Sequence, residues 1–357
     1  MIKYKRIIIK IGSNVLAKSD GLIDEQRIAH LTDQITQLKN SGVEVILVSS
    51  GAVASGRGLI RVSDRCDAVA ARQLLASVGQ VKLINIYADL FAKSAQLCSQ
   101  VLVTKDDFRD RIHYLNIKNC LEILLQHGVI PIVNENDVVS VTELMFTDND
   151  ELAGLIASML NAQALVILTN VDGIYNGNPA HESSEVIKEI NGKGVDLSAF
   201  VVQGKSQFGR GGMITKTHMA QKVAQLGITV HIANGTRENI VHDILSGDVP
   251  HTCFLPQKVT SGRKKWLAHS ETAATGVVEL NDGAKQALSS DKAISLLPVG
   301  IHAIKTDFRK GDIIKLVDST GNIIGVGRAE YGADKARERM GQKNQKPLVH
   351  YDYLYLQ

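Results

Sequence analysis

The sequence predicts an α/β protein with a mostly parallel sheet sandwiched by helices, followed by a small and mainly β domain. Apolar strand-like runs alternate with helix-like patterns over about 255 residues, and the pattern then changes to short strands and turns. The 44% hydrophobic and 22% charged composition is typical of a globular protein. At 357 residues the chain fits a large domain at 1–256, a linker at 257–274 and a second domain at 275–357.

The first domain alternates short apolar runs, bounded by turn-forming residues, with longer helical patterns. The predicted strands are RIIIKIG (6–12), VEVILVSS (43–50), SQVLVT (99–104), VIPIVN (129–134), ALVILTN (164–170) and ITVHIAN (228–234). Helices are expected at 24–40, 67–95 and 116–126, from 148 onward, after Gly212, and once more as a short last helix. Asp24 is a plausible N-cap, and Gly79 is a candidate interruption of the longest helix.

The second domain begins after a basic, linker-like stretch at 256–266. Its strand signals are TGVVEL, AISLLPVGIHAI and GDIIKLVDSTGNIIGVGRAEY, in which DSTGN predicts a hairpin turn. From Lys258 onward the chain carries 16 Lys and Arg against 11 Asp and Glu, which gives +5 there and −2 for the rest. The small overall charge of +3 does not indicate a partner.

The four cysteines lie far apart, without a CxxC pair, which favours buried free thiols over disulfides or a zinc site. The chain opens with MIKYKR directly before a strand, so we expect no signal peptide. Apolar runs are expected to stay short of membrane-spanning length. These features together predict a cytoplasmic protein that has no membrane partner.

Polar residues follow several of the predicted parallel strands at their carboxyl ends, where ligands of such sheets gather. They are Lys10, Ser49, Ser50, Asn134, Thr169 and Asn170. A lysine at the end of an isoleucine-rich strand is costly unless an anion is held against it. The sequence therefore predicts an anion site at this edge.

Three glycine-containing loops adjoin strands of the first domain: KIGSN (10–14), SSGAVASGRG (49–58) and GRGGMITK (209–216). Glycine lets backbone N–H groups approach a phosphate closely, and a helix that starts next adds its positive end. Each loop alone is a common strand-to-helix connection, but three in one domain indicate phosphate binding. The chain lacks both the P-loop pattern and a G-x-G-x-x-G after the first strand.

The stretch NENDVVSVTELMFTDND (134–150) places many carboxylates and amides between a buried strand and a helix. One interpretation is a polar loop followed by an N-cap at Asp148 or Asp150. The other is a functional loop, because it should emerge at the same sheet edge as Lys10. Its carboxylates would then hold Lys10 and Lys216, and its amides would hold a substrate's ammonium and carboxylate groups.

The motifs KIGSN, VSSGAVASG, VIPIVNENDVV, FTDND, LTNVDGIY and GRGGMITK resemble those of the glutamate 5-kinases. These belong to the amino acid kinase family and carry a C-terminal PUA domain, a small β-barrel. The resemblance implies phosphorylation of the γ-carboxylate of L-glutamate by ATP with Mg²⁺, the first step of proline biosynthesis. Such a carboxyl group ordinarily has a pKa of about 4.3, so it needs no general base at neutral pH. Positive charge around the transferring phosphoryl group becomes the main catalytic device.

The resemblance also implies residue roles. Lys10 and Lys216 would stabilise the phosphates, Asp150 would orient both lysines, and Asp148 would assist the metal–nucleotide site. The implied substrate contacts are Ser50, Gly51, Ala52, Asn134, Asp137 and Asn149. The implied nucleotide contacts are Lys10, Thr169, Asn170, Arg210, Gly211, Gly212, Met213, Ile214, Thr215 and Lys216. We expect no dedicated metal cage, because Mg²⁺ binds mainly through phosphates and water.

Two positions depart from the pattern of the glutamate 5-kinases. This chain has Asn170 where they commonly have Asp, and Arg210 where they commonly have Thr. Both bear on nucleotide affinity and leave the reaction class intact. The resemblance further implies proline as feedback inhibitor and a homo-oligomer, a dimer or tetramer. PUA modules bind RNA in modification enzymes, but a regulatory or assembly role is favoured for this one.

Two alternatives stay open. The chain could be another amino acid kinase that phosphorylates a different small anion, against which SSGAVASG, Asp137 and Asn149 argue. It could also be an RNA-binding regulator with a vestigial kinase domain, in line with its basic C-terminal domain. The joint presence of Lys10, Lys216, Asp148 and Asp150 argues against that interpretation.

Overall fold

The isoleucine-rich run Arg6–Ile11 forms a central strand of a mostly parallel sheet. The structure is a computed structural model that describes residues 3–63, 65–140, 146, 148–178, 181, 183–191, 212–257, 266–268, 274–288 and 294–356, without the side chain of Arg109. The chain divides into two units, Met1–Val259 and Thr260–Gln357. The predicted site residues Arg210 and Gly211 lie outside the described residues, as does most of the predicted linker.

Eight described strands of the first unit form one sheet. They are β1 (Arg6–Ile11), β2 (Glu44–Ser49), β3 (Leu97–Val103), β4 (Val129–Glu135), β5 (Ala164–Thr169), β6 (Glu189–Ile190), β7 (Thr229–Asn234) and β8 (Thr252–Phe254). Their order is β3-β4-β2-β1-β5-β7-β8-β6, and every paired neighbour is parallel except β7 and β8. The central strands are buried on both faces, which explains their continuous apolar sequences. The predicted mostly parallel sheet is confirmed.

Helices cover both faces of this sheet. They are α1 (Ser13–Leu16), α2 (Glu25–Asn40), α3 (Ala52–Arg57), α4 (Ala68–Ala92), α5 (Lys105–Arg109), α6 (Arg111–Gln126), α7 (Asn149–Met159), α8 (Met213–Gln225) and α9 (Ile240–Ser246). Asp24 caps α2 as predicted, since its side chain accepts a hydrogen bond from the Arg27 N–H. Neither α3 nor α5 was among the predicted helices, because runs of five or six residues carry little periodicity.

Two glycines let α3 and α4 cross at backbone contact. A Cβ added to Gly79 would lie 1.9 Å from the carbonyl oxygen of Ala52, and one added to Gly56 would lie 2.0 Å from that of Leu75. The expected interruption at Gly79 is wrong, because α4 continues through it. Gly79 instead lets α4 approach Ala52, the first residue of α3. Ala52 follows Gly51, whose positive φ of 109° favours glycine.

The expectation about apolar runs also needs correction. Among the described residues, α4 is long and apolar enough to cross a membrane by length and composition. One third of its most apolar window is buried within the protein, and Tyr87 and Phe91 belong to the hydrophobic core beneath it. Core helices of globular proteins meet the same criterion, so α4 by itself does not indicate a membrane span.

The four cysteines are free thiols, as predicted. Their predicted burial is wrong, since Cys120 is exposed and Cys66, Cys98 and Cys253 are only partly buried. The sequence contained no signal for this difference, because the exposure of a cysteine depends on which face of its element the neighbouring elements cover.

The second unit is mainly antiparallel β. Its described strands are β9 (Gly276–Leu280), β10 (Ile301–Thr306), β11 (Ile313–Val317), β12 (Ile323–Arg328) and β13 (Leu354–Leu356), and its described helices are α10 (Asp282–Leu288) and α11 (Ala333–Arg339). The sheet order is β10-β9-β11-β12-β13, with only β9 and β11 parallel. The DSTGN hairpin is confirmed, and Asp318 accepts hydrogen bonds from the N–H groups of Thr320 and Asn322.

Candidate active site

Most of the predicted site residues that the structure describes converge at the carboxyl edge of the first sheet. Because β1 lies between β2 and β5, and β2 lies beside β4, the segments that follow these strands emerge side by side. A cavity of about 510 Å³ opens there. The predicted residues that line it are Lys10, Ser50, Gly51, Ala52, Asn134, Asp137, Asp148, Asn149, Thr169 and Lys216.

A fully buried carboxylate holds two buried lysines at this cavity. Asp150 Oδ1 lies 2.6 Å from Lys10 Nζ, and Asp150 Oδ2 lies 2.9 Å from Lys216 Nζ. The lysines are only 4% and 9% exposed. Desolvated cations of this kind persist only when they are paired, and one carboxylate serves both. Two ammonium groups are therefore fixed in place beside the cavity.

Strand alternation explains how Lys10 reaches Asp150. Ile9 and Ile11 pack in the hydrophobic cluster that α2 and α4 cover. Lys10 therefore projects from the opposite face of β1, where α7 packs. Asp150 lies in the first turn of α7 and Lys216 in the first turn of α8. The two helices pack closely, since a Cβ on Gly154 of α7 would overlap Met219 of α8.

The two acidic residues at the start of α7 ionise differently. Burial by itself raises the pKa of Asp150, but the charges of Lys10 and Lys216 outweigh burial and hold that pKa well below its usual range. Burial and the neighbouring charge of Asp150 together raise the pKa of Asp148 to about 6, against the pull of the two lysines. At neutral pH both carboxylates are charged, but the charge on Asp148 lowers the stability of the folded protein.

Replacing Asp148 by Asn is expected to stabilise the fold at pH 8 by about 1–3 kcal/mol. Asp148 caps α7 by accepting from the N–H groups of Asp150 and Glu151, and Asn caps equally well. Because the folded pKa lies above the unfolded value, the cost of the charge exists above about pH 6 and disappears towards pH 4. Urea unfolding of both proteins at pH 8 and pH 5 measures the effect.

The matched control is Asp148→Ala, which removes the same charge and also the cap, so its gain should be smaller by about 1 kcal/mol. An advantage of the Asn variant that grew on acidification would contradict the assignment of the raised pKa to Asp148.

Three of the six predicted substrate residues, Ser50, Asn134 and Asn149, belong to one hydrogen-bond network. Asn149 Nδ2 donates to Ser50 Oγ at 2.9 Å and to Asn134 Oδ1 at 3.1 Å. Asn134 Nδ2 in turn donates to Gln80 Oε1 of α4 at 2.9 Å. The chain Ser50–Asn149–Asn134–Gln80 therefore connects the ends of β2 and β4 to α7 and α4, and fixes the orientation of both amides.

Asp137 is held by a residue that the sequence did not single out. Arg72 of α4 forms ion pairs with Asp137 and, at 3.6 Å, with Glu135. Burial raises the pKa of Glu135 to about 7 and also raises that of Asp137, while Arg72 opposes both shifts. The same arginine therefore keeps two crowded carboxylates together beside the cavity.

The predicted nucleotide residues follow β5 or begin α8. Thr169 lines the cavity, whereas Asn170 is exposed and does not line it. Gly212 stands at the N-cap position of α8, and no described side chain caps the helix there, so within the described part of the chain its first N–H groups are available to an anion. Of the other predicted residues, Met213, Ile214 and Thr215 form the first turn of α8 and are not among the cavity-lining residues.

Another ion pair near this region was missed from sequence. Asp172, two residues beyond Asn170, accepts two hydrogen bonds of 2.8 Å from Arg237 and one of 3.1 Å from Asn234. This pair connects the loop after β5 to the loop after β7.

The residues that sequence analysis missed, such as Arg72, Gln80 and Asp172, have partners on segments that are distant in the sequence. Polar positions on a helix can be read from sequence, but their partners cannot.

Comparisons with known proteins agree with the motifs. The amino acid kinase family matches residues 5–234, and the PUA domain family matches residues 276–351. Glutamate 5-kinase from Bacteroides thetaiotaomicron is 55% identical over 358 residues, with 99% of both chains covered. Glutamate 5-kinase from Chlorobaculum tepidum is 51% identical over 354 residues, with 99% of this chain and 98% of the relative covered.

Two solved structures share the fold of the first unit at low identity. UMP kinase from Ureaplasma parvum is 18% identical with a TM-score of 0.50, covering 71% of this chain and 99% of that one. Carbamate kinase from Giardia lamblia bound to AMP-PNP is 19% identical with a TM-score of 0.50, covering 72% of this chain and all of that one. At such identity the likeness concerns the fold alone, and the predicted fold class is confirmed.

Proposed function

The chain belongs to the glutamate 5-kinase family, and on that premise we propose that it transfers the γ-phosphoryl group of ATP to the γ-carboxylate of L-glutamate. It is a kinase of proline biosynthesis with an amino acid kinase domain and a PUA domain. The observation that carries the proposed mechanism is the pair of buried lysines that share Asp150 at a polar cavity. Their charge suits a reaction in which an anion must approach another anion.

In the proposed mechanism, Lys10 and Lys216 bind the phosphate oxygens and stabilise the charge that spreads over the transferring group. Asp150 holds both ammonium groups in place, so they need no reorganisation when the reaction occurs. The acceptor carboxylate is already ionised and requires no base. Gly51 and Ala52, where α3 starts, line the cavity, and their backbone would support this carboxylate.

The substrate and nucleotide roles expected from sequence remain proposals. Ser50, Asn134 and Asn149 would present their network to glutamate, and Asp137 would accept its ammonium group. Thr169 and the open N-terminus of α8 would contact ATP, with Asn170, Arg210 and Gly211 added from the resemblance.

The residues present suit Mg²⁺ carried by ATP. Asp148 Oδ2 is buried and accepts no hydrogen bond from the described residues, which leaves a charged oxygen for a cation. Within the described part of the chain, no three His, Cys, Asp or Glu side chains group together to hold an ion. When bound, Mg²⁺ would neutralise phosphate charge and align the phosphates. Asp148 would orient that ion from the protein side.

Further features are proposed at the level of the whole protein. Proline acts as feedback inhibitor, and the enzyme is cytoplasmic. Three large apolar side chains are exposed near one another: Leu59 after α3, Val81 on α4 and Leu102 on β3. This apolar surface supports pairing with a second copy. The domain boundaries at 256 and 275 stay a prediction, supported by the two units and by the ranges of the family matches.

A substrate panel tests the proposed function. The protein is incubated with ATP, Mg²⁺ and hydroxylamine, and glutamate, aspartate, N-acetylglutamate and carbamate are compared by acyl hydroxamate formation or ATP consumption. Glutamate should react at least about 100-fold faster than the others, because a site built on hydrogen bonds rejects acids that leave its polar groups unpaired. A preference for another acid would indicate a different amino acid kinase. No turnover with any acid, together with salt-sensitive RNA binding, would favour a vestigial kinase domain.

A further inference from the structure

The candidate substrate contacts do not account for the α-carboxylate of glutamate, and this inference rests on the proposed function. A cation is the natural partner for that group. The amide donors of the network are largely engaged within the protein: both N–H groups of Asn149 have acceptors in Ser50 and Asn134, and Asn134 donates to Gln80. Lys10 and Lys216 are committed to Asp150 and the phosphates. The cations that remain along the cavity are Arg57 and Arg72.

Arg72 is held at the cavity and still has donors to offer. Its Nη2 contacts Asp137 and lies 3.6 Å from Glu135. Among the described residues, Nε and Nη1 have no protein acceptor. The guanidinium is planar, so Nη1 together with the second N–H of Nη2 forms an edge that can bind a carboxylate through two parallel N–H bonds. The side chain is 27% exposed, which leaves it accessible from the cavity.

The helix that carries Arg72 fixes its position. Asp67 caps α4 by accepting from the N–H groups of Val69 and Ala70, so Arg72 lies in an ordered early turn. The next residue, Gln73, donates to the carbonyl oxygen of Val138 at 2.6 Å. Two consecutive side chains of α4 thereby bind the 137–138 segment, and the arginine is oriented before a substrate arrives.

We propose that Arg72 binds the α-carboxylate of glutamate while Asp137 binds its ammonium group. An adjacent cation and anion are complementary to the paired charges of an α-amino acid. The Arg72–Asp137 ion pair thus forms a receptor for the amino acid head group, at the far end of the substrate from the reacting γ-carboxylate. Arg57 lines the same cavity but is exposed and has no partner among the described residues, so it lacks this orientation.

The test compares substrate analogues that each lack one charge. Glutarate lacks the ammonium group, and 4-aminobutyrate lacks the α-carboxylate. Both are measured as competitive inhibitors of glutamate, so neither has to be phosphorylated. In Arg72→Gln, the KM for glutamate and the inhibition constant of glutarate should rise about 10- to 100-fold. The inhibition constant of 4-aminobutyrate should stay within about twofold of its wild-type value, because this ligand has no α-carboxylate for Arg72 to bind.

Asp137→Asn should give the opposite pattern, with 4-aminobutyrate weakened and glutarate little changed. The matched control is Lys82→Gln, which removes a cation from the same helix, where Lys82 pairs with exposed Glu25. It should alter none of the three constants. If Arg72→Gln unfolds, Arg72→Lys keeps the charge but loses the planar fork and should give an intermediate increase.

Three results would overturn the proposal. One is an unchanged KM for glutamate in Arg72→Gln. Another is an inhibition constant of 4-aminobutyrate that rises in Arg72→Gln as much as that of glutarate, which would mean that Arg72 acts only by positioning Asp137. The last is the expected pattern appearing in Arg57→Gln instead. If the wild-type protein fails to phosphorylate glutamate, the proposed function fails. The same comparison is then made by calorimetric binding of glutamate and the two analogues, which still decides the role of Arg72.

Discussion

Replacing Asp150 by Asn is expected to lower the free energy of unfolding by about 3–5 kcal/mol and to abolish phosphoryl transfer. The substitution keeps the shape of the side chain but leaves the ammonium groups of Lys10 and Lys216 buried without their shared counter-charge. Uncompensated buried charge is among the most destabilising changes in a protein interior. Urea unfolding at neutral pH measures the loss, and glutamyl hydroxamate formation measures the activity.

The pH dependence of this loss follows from the lowered pKa of Asp150. A carboxyl whose folded pKa lies below its unfolded value stabilises the protein above the unfolded pKa, and loses that effect only in strong acid. The difference between variant and wild type should therefore be constant between about pH 7 and pH 9, above the range in which Asp148 titrates. The control Glu25→Gln removes an exposed carboxylate paired with Lys82 and should cost no more than about 1 kcal/mol. A stable Asp150→Asn protein would show that the lysines do not depend on this carboxylate.

Replacing Lys10 by Met should lower kcat by about 100- to 1,000-fold or more, with a much smaller change in the KM for glutamate. The ammonium group is proposed to act on charge that moves with the transferring phosphoryl group, so its main effect should appear in the transition state. Stability should change little by comparison, because Lys216 still neutralises Asp150 at 2.9 Å. Steady-state kinetics and thermal unfolding on the same preparation separate the two effects.

The matched control is Lys105→Met. Lys105 is also a largely buried lysine, paired with Glu151 at 3.4 Å, but it does not line the cavity. Its kcat should be close to that of the wild type. Retention of activity within about tenfold in Lys10→Met would mean that the strand lysine neutralises Asp150 and contributes little to catalysis.

The sequence determined the features that depend on near neighbours. Isoleucine-rich runs predicted the buried parallel strands, Asp24 predicted a cap, and DSTGN predicted a hairpin, and all are present. The parallel arrangement also placed Lys10, Ser50 and the 134–150 stretch at one edge of the sheet, because carboxyl ends of parallel strands share an edge. Even the proximity of carboxylates to Lys10 followed from that rule.

Only the tertiary structure decided which groups meet. The resemblance had already implied that Asp150 orients both lysines, but only the structure shows that the pKa of Asp150 is lowered and that of Asp148 raised, although the two residues stand close together at the start of one helix. It paired Arg72 with Asp137 across 65 positions of sequence. It also showed that Gly79, a predicted interruption of α4, lies where α4 crosses α3. Periodicity reports which residues share the face of an element. Partners across elements depend on packing between distant segments, which no local pattern encodes.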